Sequence, residues 1–246
     1  MSYFYELYEG LRRGGPGSAS STERAFRMVP GLPPSPLIYD LGCGPGPQTL
    51  ALARLAPQAR IVAVDNHRPF LAGLEAAAAA AGVSERIEVR EADMTKMEAP
   101  AGGVDLVWSE GALYFFGFEA GLRRCRDWLK PGGCLAASEA VWLKADPPPE
   151  VREMWVDEYP AIKTAAENLP QFAACGYRLL GHFTIPESDW LDGFYLPMER
   201  RIAQLREKRR GNDAALAVLD ASQREVEIYR KYSAYYGYEF FVAQAV

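Results

Sequence analysis

The stretch Ile38-Tyr39-Asp40-Leu41-Gly42-Cys43-Gly44-Pro45-Gly46-Pro47-Gln48 reads as a buried strand that runs into a glycine turn and then a helix. Leu37, Ile38 and Leu41 give the strand its apolar content, while Gly42, Gly44 and Gly46 remove the Cβ atoms that would hold a ligand off the backbone. Pro47 suits the first helical turn, where a missing N–H costs nothing. A helix N-terminus behind such a turn exposes unpaired N–H groups and a partial positive charge, which favour the anionic end of a ligand. A glycine turn is also compatible with a purely structural role, so its neighbours decide.

Working outward, strands and helices alternate. A helix from Pro47 to about Ala56 is stopped by Pro57, and Arg60–Asp65 reads as a second buried strand ending in an acid. An alanine-rich helix follows over Pro69–Ala81, then a third strand at Arg86–Arg90 with Glu91-Ala92-Asp93-Met94 at its end. Val104–Trp108 is a fourth strand leading into Ser109-Glu110-Gly111-Ala112-Leu113-Tyr114-Phe115-Phe116. A helix at about Phe118–Leu129, a Lys130-Pro131-Gly132-Gly133 turn and a strand at Cys134–Leu143 complete this part. Later strands are expected at Tyr177–Thr184 and Tyr238–Gln244, with long polar helices at about Leu196–Arg210 and Asp213–Tyr235 between them. Before the glycine turn, short helices at Tyr3–Leu11 and about Thr22–Met28 flank a Gly/Ser-rich break. The alternation predicts an open, mostly parallel sheet, with acids at the strand tips where α/β folds bind ligands.

Spacing narrows the ligand. A nicotinamide fingerprint is Gly-x-Gly-x-x-Gly, whereas here the third glycine comes one residue early and Asp40 stands two residues before the first. This Asp-x-Gly-x-Gly-x-Gly pattern resembles motif I of the class I S-adenosylmethionine-dependent methyltransferases. Leu129-Lys130-Pro131-Gly132-Gly133 ahead of a strand is likewise similar to that family. The resemblance covers about Leu37 to Leu143 well and the remainder by order of elements. It implies a Rossmann-like sheet of seven strands, mostly parallel with an antiparallel last strand, helices on both faces, and a helical insertion between the last two strands. One domain over residues 1–246 follows: a helical lid at 1–30, a cofactor-binding core at 31–145, and substrate-side helices with the last strands at 146–246. Within the last part, 190–236 is expected as a cap or dimer insertion.

The implied cofactor is S-adenosyl-L-methionine, with S-adenosyl-L-homocysteine as product. Its expected binding set is Asp40, Gly42, Gly44, Gly46, Gln48, Asp65, Asn66, Asp93, Met94 and Glu110. By resemblance Asp65 takes the ribose, Asp93 and Met94 take the adenine, Asp40 orients the turn or meets the amino group, and Gln48 reaches the amino-acid end. Glu110 is the candidate base or substrate orienter, Tyr114 a substrate contact, and Glu139 a second carboxylate worth testing. Each carboxylate has a structural alternative, capping a helix or pairing with an arginine. His67 is expected on a solvent-exposed loop.

Composition supports a small-molecule acceptor. With 49% hydrophobic and 24% charged residues the chain is an ordinary globular protein, and a net charge of −5 offers no global attraction for nucleic acid or anionic membrane. Four cysteines without CxxC spacing read as reduced thiols, no metal site is expected, and no segment reads as a membrane span, so a cytoplasmic chain is expected. Ser109-Glu110-Gly111-Ala112 stands where the family's Asn/Asp-Pro-Pro-aromatic motif for exocyclic amines would be. The function expected is methyl transfer to an N or O nucleophile of a small metabolite. Two alternatives are an RNA or protein methyltransferase using the basic cluster 200–210, and a non-catalytic S-adenosylmethionine-binding regulator. Tyr229, Tyr232, Tyr235 and Tyr236 read as a core or dimer face, with a cation-binding box as the alternative.

Overall fold

A computed structural model describes residues 3–246, so Met1 and Ser2, part of the expected lid, lie outside the described residues. The sheet is centred on β1 (Leu37–Leu41), which runs parallel to β2 (Arg60–Asp65) on one side and to β4 (Val104–Glu110) on the other. Outside β2 lies β3 (Ile87–Glu91), and outside β4 lies β5 (Leu129–Trp142). The last strand, β8 (Tyr236–Ala245), is antiparallel and lies between β5 and β7 (Tyr177–Thr184). The path is therefore β3-β2-β1-β4-β5-β8-β7, with the expected strand directions. A two-residue strand, β6 (Lys163–Thr164), pairs with β5 off this path and makes eight strands, one more than the seven expected. Because β1 feeds β2 on one side and sits beside β4 on the other, a crevice opens at its carboxyl end, where α/β folds bind ligands.

The Lys130–Gly133 turn is absorbed into β5. Its register jumps from Val104↔Leu129 to Leu106↔Cys134, so four residues bulge opposite one. Gly132 at φ 74 makes that bulge, and a Cβ on Gly133 would lie 3.0 Å from the Lys130 carbonyl oxygen.

Both sheet faces are covered, which explains why β1, β2 and β4 are apolar nearly throughout. One face, with Tyr39, Val62, Val107, Leu135 and Phe241, packs under α5 (Phe118–Trp128) and α7 (Ala165–Ala174). The other, with Ile38, Ile61, Leu106, Trp108 and Phe240, packs under α2 (Ala19–Phe26), α9 (Leu196–Lys208) and α10 (Asp213–Tyr232). Ile202, Leu205, Leu219 and Val226 of the long insertion helices are buried in that same core. Tyr229 stacks on Trp190 with ring centroids 4.6 Å apart, so the tyrosine stripe is in large part core. Its helix ends at Tyr232, and Tyr236 belongs to β8.

At the start, α1 (Tyr3–Tyr8) lies against α9 and α10. Helix α2 begins three residues earlier than expected because the Ser18 hydroxyl accepts the Ser21 N–H at 3.1 Å, an N-cap. Residues 9–18 thus cross the carboxyl edge of the sheet. Part of the basic cluster serves this docking: Lys208 and Arg209 both hold Glu6 at 2.8 Å, while Arg206 pairs with Asp220 of α10. These two partners drop the Glu6 carboxyl to about 2.

Candidate active site

Three strand ends meet at the crevice. After β1 the chain turns through Gly42, at φ 69, where a Cβ would lie 2.3 Å from the Cβ of Ala112 behind β4. Only glycine allows the β1 and β4 loops to approach so closely. Gly44, at φ 52, is different: around its Cβ position the nearest atom is the Gly14 nitrogen at 3.9 Å, so backbone there is open to a ligand. The loop is held from below and from the side. Asp65, at the end of β2, accepts the Gly44 N–H at 2.8 Å through one oxygen and the His67 N–H at 2.9 Å through the other. Each oxygen keeps a further lone pair.

Gln48 does not face a ligand. It is buried in the first turn of α3 (Pro47–Leu55), and its amide donates to the Cys43 carbonyl at 2.8 Å, so it braces the glycine loop from beneath. Asp40 is fully buried, with one oxygen accepting from Thr49 Oγ1 at 2.5 Å and the other without a partner. Burial drives its carboxyl up to about 7, against the Thr49 hydrogen bond. Asn66 is exposed beside Asp65.

At the end of β3, Met94 is buried with its sulfur 4.0 Å from the Gly42 Cβ position, so it borders the glycine loop. Asp93 is half-buried and caps a short 3-10 turn: it accepts from Thr95 N–H at 3.0 Å and pairs with Lys96 at 3.0 Å. The Thr95 hydroxyl and Lys96 hold its carboxyl below the usual range.

Glu110, at the tip of β4, is not a free carboxylate. One oxygen accepts from Arg13 Nη1 at 2.7 Å; the other accepts from Thr22 Oγ1 at 2.6 Å and Trp108 Nε1 at 3.0 Å. The Arg13 and Glu110 side chains are 9% and 5% exposed, which makes this a buried ion pair rather than a solvated contact. It ties the segment before α2 to the sheet edge. The same segment is tied to the insertion, since the Gly17 N–H donates to the Asp189 carbonyl at 3.2 Å and the Ser21 hydroxyl to the Asp189 carboxylate at 2.5 Å. Sequence reasoning missed Arg13, Thr22 and Asp189, because nothing local marks residues whose partners lie about 90 to 170 positions away.

His67 is also not on an exposed loop. Its ring stacks on Tyr5 at 4.0 Å and its Nε2 lies 2.9 Å from Glu9, so α1 and the segment after it cover the turn following β2.

Glu139 faces the opposite side of the sheet. Its carboxylate is buried without a hydrogen-bond partner of good geometry, and burial raises it to about 8, opposed by the Tyr159 hydroxyl. An acid raised in the fold contributes stability fully present below its ordinary value near 4.5 and lost as pH climbs toward 8. Glu139→Gln is therefore expected to flatten the pH dependence of stability and to exceed the wild type above pH 8 by roughly 3 kcal/mol. Urea unfolding of both proteins at pH 5 and pH 9 measures this; equal slopes with pH would show that Glu139 is ionised in the folded protein.

Tyr114, beyond β4, is half-buried, with its phenol pushed up to about 12 by burial and by Glu139. Beside it stands Tyr238 of β8, which sequence reasoning had only as a strand residue; a Cβ on Gly111 would lie 2.8 Å from its ring. Among the described residues no group of three or more His, Cys, Asp or Glu is arranged to hold a metal, and no helix is long and apolar enough to cross a membrane.

This strand order, glycine loop and row of strand-end acids define the Rossmann-like fold of S-adenosylmethionine-dependent methyltransferases. Over the full chain that fold is similar to a methyltransferase from Geobacter sulfurreducens crystallised with S-adenosyl-L-homocysteine, with TM-score 0.85, 19% identity, and coverage of 100% of this chain and 99% of that one. Residues 38–133 match a family described as methyltransferase domain. A trans-aconitate 2-methyltransferase of Streptomyces avermitilis is 39% identical over 110 residues, 44% of this chain and 40% of the relative. A dimethylglycine N-methyltransferase of Parasynechococcus marenigrum is 31% identical over 115 residues, 45% of this chain and 39% of the relative. The chain thus spans about two fifths of the length of these curated relatives.

Proposed function

We propose that the chain is an S-adenosyl-L-methionine-dependent methyltransferase acting on an N or O nucleophile of a small molecule. The observation that carries this reading is the convergence of open backbone at Gly44, the Asp65 carboxylate and Met94 at one sheet edge, beside the tyrosines that follow β4 and open β8. The residues present fit the cofactor. The space at Gly44 lets a ligand approach the backbone of the loop, whose Cys43, Gly44 and Gly46 amides are held within the protein, and the buried Asp40 braces the loop from beneath through Thr49. Asp65 retains lone pairs for two ribose hydroxyls, and Met94 offers an apolar, polarisable surface to an adenine ring.

When bound, the sulfonium cofactor supplies an activated methyl group. The protein then has to orient the acceptor and exclude water. Tyr5, Glu9 and His67 shield the β2 end, while the Arg13–Glu110 pair seals the β4 end, so the segment over the crevice limits water. Glu110, with both oxygens engaged, acts in this reading as an orienter of that segment and not as a proton acceptor. The small-molecule reading is favoured over RNA because Arg206, Lys208 and Arg209 of the basic cluster are paired with Asp220 and Glu6, and Arg210 with Glu207.

Calorimetry with S-adenosyl-L-methionine, S-adenosyl-L-homocysteine and NAD tests the cofactor. Micromolar binding of the first two without NAD is expected, followed by transfer of labelled methyl to a component of a metabolite pool. Binding of NAD alone would sink the proposal. Cofactor binding without turnover across broad acceptor pools would favour a regulatory protein.

A further inference from the structure

On the side of the crevice away from the glycine loop, α1, the loop after β4, β8 and the insertion bring Tyr8, Tyr114, Tyr195, Tyr238 and Glu225 together. Tyr238 packs on Gly111, next to the tip of β4, and contacts Trp190 at 4.8 Å edge to face. Tyr8 reaches Phe194 at 6.1 Å, and Tyr195 is 5.2 Å from the same ring. Glu225, on α10, accepts from the Tyr195 hydroxyl at 2.9 Å through one oxygen. Its other oxygen has no hydrogen bond, and it forms no salt bridge, among the described residues.

The polar inventory is unbalanced. The hydroxyls of Tyr8, Tyr114 and Tyr238 find no hydrogen-bond partner among the described residues, yet all three residues keep accessible surface. Deeper in, the fully buried Tyr236 hydroxyl is also unpartnered. A buried polar group is seldom left so, and the accessible hydroxyls of Tyr8, Tyr114 and Tyr238 are free to bond a ligand or water. The charges felt there share one sign. Burial pushes the phenols of Tyr8 and Tyr238 well up, and the nearby carboxylates Glu225 and Glu158, or Glu139 and Glu225, push the same way. Burial raises Glu225 itself to about 7, with Glu158 adding to the rise.

Aromatic faces together with an acid that lacks a basic partner are complementary to a cation. We propose that this cleft recognises an ammonium group on the methyl acceptor, with Glu225 as its counter-charge and the tyrosine rings around it. The inference rests on the methyltransferase reading and names its substrate class, an amine. A polycarboxylate such as trans-aconitate would meet the same field as repulsion.

The test uses the full chain and begins with S-adenosyl-L-homocysteine affinity in the wild type and in Glu225→Gln. Each loaded protein is then titrated at pH 8 with N,N-dimethylethanolamine, with 3-methylbutan-1-ol as its neutral isostere, and with trans-aconitate. The wild type is expected to prefer the amine to the alcohol by roughly 10-fold, and Glu225→Gln to lose most of that preference while keeping its homocysteine-product affinity. Intact product binding without any preference for the amine, or with trans-aconitate tightest, overturns the cation reading and leaves the methyltransferase reading standing. Loss of product binding in the wild type overturns both. If the variant alone fails to bind product, the amine and alcohol comparison on the wild type decides.

Discussion

Asp65→Ala is expected to weaken S-adenosyl-L-homocysteine binding at least 100-fold. Two effects add. In the proposed complex the carboxylate accepts two ribose hydroxyls, and hydrogen bonds to a charged group contribute about 1.5–3 kcal/mol each. In the free protein the same carboxylate holds the N–H groups of Gly44 and His67, so its loss also loosens the loop that must meet the cofactor. Both donors can turn to water at this half-buried position, which keeps the stability cost near 1 kcal/mol. The signature is thus a large affinity loss with a small thermal shift, read by calorimetry and melting on the same preparation. Unchanged affinity would remove Asp65 from the ribose position, whatever the fold.

Arg13→Ala is expected to destabilise the protein by about 2–3 kcal/mol and to release the segment that crosses the crevice. Removing one partner of a buried ion pair leaves the other charge uncompensated, which ordinarily costs 3–5 kcal/mol. The lower value is expected because Thr22 and Trp108 still donate to Glu110. The double variant Arg13→Ala/Glu110→Gln should recover part of the loss, giving a coupling energy of roughly 1–2 kcal/mol in a double-mutant cycle. Because α1 and the following residues are joined to the body through Glu6, His67 and Arg13, cutting one joint should speed proteolysis between residues 9 and 18. Additive energies and unchanged proteolysis would show that the pair is incidental.

The two experiments separate the roles of acids that look alike in sequence. Asp65 and Glu110 both follow an apolar strand and both reach the carboxyl edge of the sheet. Asp65 meets only backbone donors and keeps capacity for a ligand, while Glu110 meets an arginine, a hydroxyl and an indole and is committed to the protein.

Most of the strand positions were legible in the chain, because a strand covered on both faces must be a nearly continuous apolar run bounded by turn residues, as Arg60–Asp65 and Val104–Glu110 are. The glycine loop was legible for the same local reason: positive φ at Gly42, Gly44 and Gly46 needs glycine whatever surrounds it. The Pro-Gly-Gly element was read as a turn and is a bulge inside β5, a difference set by pairing with β4 rather than by the four residues themselves. Gln48 was assigned to a ligand because its position in the first helical turn is local, while the carbonyl it bonds could be seen only in three dimensions.

What the sequence alone determined is the order of elements and the strand-end placement of Asp40, Asp65, Asp93 and Glu110, since periodicity and turn chemistry act over a few residues. Only the tertiary structure decided which of those acids stays open, that Arg13 closes on Glu110, and that Glu225 stands without a cation among tyrosines from four separate elements. Those outcomes depend on burial and on partners far away in the chain, and neither desolvation nor a long-range ion pair leaves a mark in local sequence.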